Sequence, residues 1–160
     1  MKKYVFLAFY SLFLVFFLSA QTADELDVLL GKQTVTAAEA ARFVLGAAEL
    51  LPAELSGTAA ETAAYTMALS NGWVKKEGAA NAALSDVAFL IVKAFELKGG
   101  VMYRMVKNPR YAYRELIYRR IIQGRADPAM NVSGQRLMQI IGRTLSFAGE
   151  NKLPGKQHGN

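Results

Sequence analysis

The 160-residue chain contains no cysteine and a single histidine, His158, close to its end. Without cysteine the chain can form no disulfide bond, carry no lipid-modified cysteine and perform no thiol chemistry. One histidine and no cysteine also provide no zinc-binding pattern of the usual kind. No carboxylate pair placed for glycoside cleavage stands out either. We therefore expect a protein that is not an enzyme and that uses no cofactor.

Long apolar runs are confined to the start of the chain. Residues 1–20, MKKYVFLAFYSLFLVFFLSA, begin with two lysines, continue as an unbroken apolar run and end in small residues. This layout is typical of a secretory signal peptide, which predicts cleavage after Ala20 and a location in the periplasm or cell envelope. The alternative is an uncleaved anchor, since the run approaches the length that spans a bilayer. Residues 21–149 then form one helical domain, and residues 150–160 a disordered tail.

Charge is divided unevenly along the rest of the chain. Residues 21–100 hold six Lys or Arg against ten Asp or Glu, a net charge of −4, whereas residues 101–160 hold eleven against three, a net charge of +8. The two halves attract each other, or the arginines form a solvated face, or the basic half binds an anionic polymer; the sequence leaves these three alternatives open. Acidic glycan, peptidoglycan, lipid headgroups and nucleic acid are the candidates. Export makes nucleic acid the least favoured, and membrane contact is expected only through an uncleaved leader.

Helical periodicity and capping residues predict an all-α fold, a small bundle of about six helices. Capping boxes are expected where Thr36 precedes Glu39 and where Thr58 precedes Glu61. The helix over residues 86–97 is apolar nearly all round, so it belongs in the middle of the bundle. The helices are predicted over residues 22–31, 35–51, 58–70, 86–97, from 110 to the loop at 124–131, and from a Ser133 cap onward.

Three of these helices begin alike, which indicates an internal repeat. Their sequences are VTAAEAARFVLGAAEL at 35–50, LSDVAFLIVKAFEL at 84–97 and VSGQRLMQIIGRTL at 132–145. The capping residues Thr36, Ser85 and Ser133 follow one another at intervals of 49 and 48 residues. Before the second and the third, another helix ends near a glycine, at ALSNGW and RIIQGR. The pattern predicts three helix-loop-helix repeats that share one core.

These motifs resemble the S-layer homology domain family, whose repeats carry a Thr-led motif of the form I-T-R-A-E. Residues 35–39, VTAAE, match it except for the arginine, and residues 84–86 and 132–134 match it more distantly. The resemblance implies three helical repeats in a pseudo-threefold arrangement, with a cell-wall polysaccharide bound in the grooves between them. The motif arginine, which helps to hold the glycan in that family, is replaced by Ala37, Asp86 and Gly134. Anion binding would then depend on the arginines of residues 104–125.

An arginine- and tyrosine-rich stretch is therefore the candidate site. The planar guanidinium group of arginine meets carboxylate or phosphate with paired hydrogen bonds, and tyrosine rings offer stacking surfaces. The alternative is a periplasmic structural or assembly protein that docks a protein partner through the same surface, because Arg and Tyr are enriched at protein interfaces. Glu115 and Arg119, four residues apart, are expected to pair on the helix. The candidate residues are Tyr103, Arg104, Arg110, Tyr111, Arg114, Tyr118, Arg119, Arg120 and Arg125.

Overall fold

The computed structural model describes residues 23–98, 108–125 and 127–152, and these residues form a small all-helical bundle with six helices. The predicted fold class is therefore confirmed. The helices are α1 over residues 23–31, α2 (Ala37–Ala47), α3 (Gly57–Ser70), α4 (Leu84–Ala94), α5 (Pro109–Tyr118) and α6 (Gly134–Lys152). None of the helices in the described part of the chain is long and apolar enough to cross a membrane. The predicted leader, residues 1–20, lies outside the described residues.

Side chains at three helix starts form the local hydrogen bonds that begin a helix. At α2 the predicted capping box is confirmed, since Thr36 Oγ1 accepts from the Glu39 N–H at 3.2 Å and Glu39 Oε2 accepts from the Thr36 N–H at 2.9 Å. Asn108 caps α5, directly before a proline at the first helical position, where a missing N–H removes no helical bond. Ser133 accepts a hydrogen bond from the Arg136 N–H at 3.3 Å, as a residue capping α6 should.

Two predicted caps are wrong. The N-cap of α4 is Ala83 rather than Ser85, so this helix begins two residues earlier than predicted. Leu84 at its first position is fully buried, and its N–H donates to the Met130 carbonyl at 2.9 Å, which replaces a capping side chain. At α3 the N-cap is Ser56, and Thr58 lies inside the helix.

Four predicted helix ends are also wrong. α2 ends at Ala47 rather than at residue 51, and α4 ends at Ala94 rather than at residue 97. α5 ends at Tyr118, so Arg119 and Arg120 lie beyond it rather than on its surface. α6 continues to Lys152, past the point at which residues 150–160 were expected to become a disordered tail. Residues 153–160 lie outside the described part of the chain.

Three central helices, α2, α4 and α6, pack against one another, with α3 on the outside of α2 and α5 on the outside of α4. α4 was predicted to lie at the centre, and Val87, Leu90, Ile91 and Ala94 are buried, although Phe95 is only half-buried. Burial of one such aliphatic side chain contributes about 1.5–3 kcal/mol, so α4 supplies much of the driving force for folding. α1 closes the bundle through Leu29, which contacts the start of α6.

The chain segments before the three central helices meet at one end of the bundle. The Val35 N–H donates to the Val132 carbonyl at 2.8 Å, the Ala82 N–H to the Val35 carbonyl at 2.9 Å, and the Val132 N–H to the Ala82 carbonyl at 3.1 Å. These three bonds form a closed backbone ring of Val35, Ala82 and Val132. All three residues are buried, so the ring satisfies polar groups that water cannot reach. The ring therefore fixes where each central helix begins.

Candidate binding surface

α5 is held in one orientation by its cap and by its buried face. The Asn108 side chain accepts a hydrogen bond from the Tyr111 N–H at 3.0 Å. Ala112, Tyr113 and Leu116 are buried, and the helix packs chiefly against α4. The opposite face must then point into solvent.

The exposed face of α5 carries an arginine stripe, which consists of Arg110, Arg114 and Tyr118. These residues are four positions apart, so they follow one another at about 6 Å along the helix axis. All three are exposed, and Tyr118 retains 86% of its accessible surface. Neither arginine makes an ion pair within the described residues. The stripe therefore presents two positive charges, uncompensated in the described part of the chain, beside a solvated aromatic ring.

Arg119 was predicted to belong to the same surface, but its charge is already engaged. Its Nε lies 2.7 Å from Glu115 Oε1, which confirms the predicted pairing, and both side chains are largely buried. Its guanidinium group also lies over the Phe147 ring, 4.8 Å from the centroid, and donates to the Lys98 carbonyl. Arg119 thus joins α5 to α6 and to the end of the α4 region, and we assign it a structural role.

Arg120 and Arg125 are exposed in the turn that follows α5. Arg120 adopts a left-handed backbone with φ of 58°, where most helix ends carry glycine. This turn is fastened from α6 by two arginines that sequence reasoning did not identify. Arg136 donates to the carbonyls of Gln123 and Arg125, and Arg143 donates to the Ile121 carbonyl at 3.4 Å. Their spacing of seven residues on one helical face was the signal that could have identified them.

The remaining predicted site residues are less accessible or fall elsewhere. Tyr111 is half-buried and packs against the core, so only part of its ring can meet a ligand. The neighbouring Tyr113 is buried. Tyr103 and Arg104 lie outside the described residues.

A second feature, an acidic groove of about 300 Å³, lies between α1, α2 and the start of α3. Four carboxylates and two cations line it, which leaves a net charge of −2. Val28, 64% exposed, and the half-buried Phe43 provide its apolar surface. Sequence reasoning missed this groove, although the acidic excess of residues 21–100 pointed to it. The charged residues are Asp24, Glu25, Glu39, Glu61, Lys32 and Arg42.

Two of the carboxylates in the acidic groove have structural partners. Glu25 accepts from Arg42 Nη2 at 2.8 Å and from the Gly57 N–H at 2.6 Å, so it ties α1 to α2 and α3. Burial raises the pKa of the Glu39 carboxyl, but hydrogen bonds from Lys32 and from the Thr36 N–H, with the charge of Lys32, outweigh burial and hold this pKa below its ordinary value. Asp24 and Glu61 make no ion pair within the described residues.

Comparison of the chain with protein-family models, with curated proteins and with solved structures gives no match.

Proposed function

We propose that the chain is an exported, non-enzymatic module of the cell envelope that binds an anionic cell-wall polymer, such as acidic glycan or peptidoglycan. The observation that carries the proposal is the arginine stripe of α5, with two exposed guanidinium groups that have no acidic partner within the described residues. Arg120 and Arg125 extend this positive surface beyond the helix. Guanidinium groups suit carboxylate and phosphate because their planar fork forms paired hydrogen bonds.

The export part of the proposal depends on residues 1–20, whose charged start, apolar run and small residues are those of a signal peptide. A cleaved leader would release the domain into the periplasm or onto the envelope. An intact mass that begins at Gln21 is the expected result for the exported protein. A mass that retains residues 1–20 would make it an anchored protein instead.

We further propose that the fold is a divergent S-layer homology arrangement of three units. The backbone ring supports this, because equivalent hydrogen bonds relate the starts of α2, α4 and α6. Aligned on the ring, the positions of the motif arginine are Ala37, Leu84 and Gly134, with Leu84 in place of Asp86. None of the three carries a positive charge. The anion-binding function would then have moved from the grooves to the exposed face of α5.

Binding of the purified exported chain to peptidoglycan sacculi tests the proposed function. The double variant Arg110→Gln with Arg114→Gln should fold normally and lose about tenfold or more in affinity, because two charge-assisted contacts are removed. The control is Lys75→Gln, which removes positive charge from an exposed residue of the junction between α3 and α4. The difference should be largest at low salt, since exposed charges are screened above roughly 0.1 M. No binding by the parent at any salt concentration would refute the polymer proposal.

A protein partner is the second candidate for the same surface. Tyr118 and Ile117, which retain 86% and 37% of their accessible surface, give α5 an apolar component that a polyanion does not need. Exposed aromatic and arginine side chains together are typical of protein interfaces. In this case the sacculi would not bind, whereas an envelope protein would be retained by the parent and lost with Tyr118→Ala.

A further inference from the structure

The exposed face of α5 and the acidic groove are complementary in charge and shape, and we propose that they dock to each other between two copies of this chain. In this arrangement the arginine stripe of one copy lies across the acidic groove of the next. The inference does not rest on polymer binding. It assigns a partner, a second copy of the chain, to a surface that also has a proposed polymer ligand.

Charge is the first observation that supports this docking. The groove carries a net charge of −2, and two of its carboxylates, Asp24 and Glu61, make no ion pair within the described residues. The arginine stripe carries two positive charges that are equally unpaired in that part of the chain. Docking would bring the two arginines of the stripe close to the two unpaired carboxylates of the groove. Such complementary charges favour one orientation of the two copies and accelerate their association.

Shape is the second observation. Tyr118 projects from α5 with 86% of its surface exposed, in line with the two arginines. The acidic groove has a volume of about 300 Å³, at the lower limit of sites that hold a small ligand, and Val28 and Phe43 give it an apolar wall. One aromatic ring can therefore enter the groove while the arginines contact its charged rim. Tyrosine is well suited to this because its ring is apolar and its hydroxyl remains hydrogen-bonded.

The position of the two surfaces makes the contact intermolecular. α5 packs chiefly against α4, whereas the groove is built by α1, α2 and the start of α3. The stripe residues Arg110, Arg114 and Tyr118 make no ion pair or side-chain hydrogen bond with the groove residues within the described part of the chain. Because the two surfaces differ, the contact is head-to-tail and leaves one free stripe and one free groove at the ends. Association should thus grow beyond a dimer as concentration rises.

Sedimentation velocity of the purified exported chain, without any polymer, tests the inference. Between about 5 and 500 µM at low salt, the parent should form species that increase in size with concentration, and salt above roughly 0.1 M should return it to monomer. A stripe variant, Arg110→Gln with Arg114→Gln, and a groove variant, Asp24→Asn with Glu61→Gln, should each remain monomeric alone. A control with Glu54→Gln and Glu77→Gln, two exposed carboxylates outside the groove, should associate like the parent.

Mixing the two variants is the decisive measurement. The groove variant keeps an intact stripe and the stripe variant keeps an intact groove, so an equimolar mixture has one functional contact. The mixture should form a 1:1 dimer that does not grow further. Tyr118→Ala should weaken the association of an otherwise unchanged chain by at least about tenfold.

Three outcomes would overturn self-docking: a parent that is monomeric at low salt over this range, an unaltered assembly in either variant, or a mixture that stays monomeric. Polymer binding is tested separately by the groove variant, which should bind sacculi like the parent. A parent that binds sacculi but does not self-associate would refute self-docking alone, and a parent that self-associates but does not bind sacculi would refute polymer binding alone.

Discussion

The junctions that lead into the three central helices end in the same hydrogen bonds but differ in length. Residues 71–83 connect α3 to α4 and residues 119–133 connect α5 to α6, whereas only residues 32–36 connect α1 to α2. In the long junctions a loop carbonyl, from Ala80 or Met130, accepts from the first N–H of a central helix at 2.8 or 2.9 Å. In the short junction the Lys32 carbonyl, directly after α1, accepts a hydrogen bond from the Gly134 N–H at 3.0 Å.

Because the junctions differ in length, substitutions in them should have different effects. The short junction brings the backbone of α1 against α6, so an added side chain has no space there. The long junction after α5 instead forms a turn that exposes Arg120 and Arg125 to solvent. We therefore expect substitutions near the short junction to change stability, and substitutions in the turn after α5 to change binding.

Gly134→Ala should produce the largest loss of stability. A Cβ atom on Gly134 would lie 1.7 Å from the Leu29 carbonyl oxygen and 2.6 Å from the carbonyl carbon, which are backbone atoms that cannot rotate away. Either α1 separates from α6 or the whole domain is destabilised, by at least about 3 kcal/mol. Urea denaturation followed by circular dichroism measures this change.

Gly142→Ala is the matched control, since Gly142 lies in the same helix with nothing within 4 Å of the added Cβ atom. Alanine is the better helix former there, and a gain of up to about 1 kcal/mol is expected. If both variants unfolded at the parent's urea concentration, close contact between α1 and α6 would be contradicted.

The local features of the fold could be predicted from the sequence, and the long-range ones could not. Helical periodicity, the Thr36–Glu39 capping box and the Glu115–Arg119 pair depend on residues a few positions apart. The start of α4 could not be predicted, because the Leu84 N–H is satisfied by Met130, far along the chain. Likewise, the contact between Gly134 and the Leu29 backbone could not be predicted, because the two residues are far apart in the sequence.

The candidate site divides in the same way. Arg110, Arg114 and Tyr118 were predicted as site residues, and the structure places all three on the solvated face of α5. Arg119 was predicted to belong with them, but its guanidinium group lies over the Phe147 ring and donates to the Lys98 carbonyl. These partners are too distant in the sequence for helical spacing to predict the contacts. The acidic groove combines three helices, so the acidic excess of residues 21–100 indicated its charge but not its position.

Glu39→Gln tests the short junction with a smaller expected effect. The pKa of Glu39 in the folded protein lies below the ordinary value of 4.5, so this carboxylate stabilises the fold above that pH. Its contribution should be lost as pH falls through the depressed pKa. Glutamine can still accept the Thr36 N–H bond but has no charge for Lys32, so a loss of about 1 kcal/mol at pH 7 is expected.

The pH dependence distinguishes this mechanism from a loss of packing. Urea denaturation between pH 7 and pH 3 should show a shallower decline for Glu39→Gln than for the parent, so that the two curves converge in acid. Glu61→Gln is the control, because Glu61 makes no ion pair within the described residues. Parallel curves for the parent and Glu39→Gln would contradict a role for the charge of Glu39.

Arg120→Gly tests the long junction, where a small gain in stability should accompany a loss of binding. Arg120 holds φ at 58°, a conformation that is unfavourable for any residue with a Cβ atom but not for glycine. Relief of this strain should outweigh the greater freedom of glycine in the unfolded chain and stabilise the domain by about 0.5–1 kcal/mol. Removal of the Arg120 charge should at the same time weaken binding to sacculi at low salt.

Glu49→Gly is the matched control, since Glu49 lies in the turn after α2 with the same φ of 58° and the opposite charge. It should gain similar stability, measured by thermal unfolding, and should bind sacculi at least as well as the parent. If Arg120→Gly and Glu49→Gly were equally stable but only Arg120→Gly bound sacculi more weakly, the charge of Arg120 would contribute to binding at the cost of backbone strain. If Arg120→Gly bound as tightly as Glu49→Gly, Arg120 would lie outside the binding surface, which would then be confined to the stripe on α5.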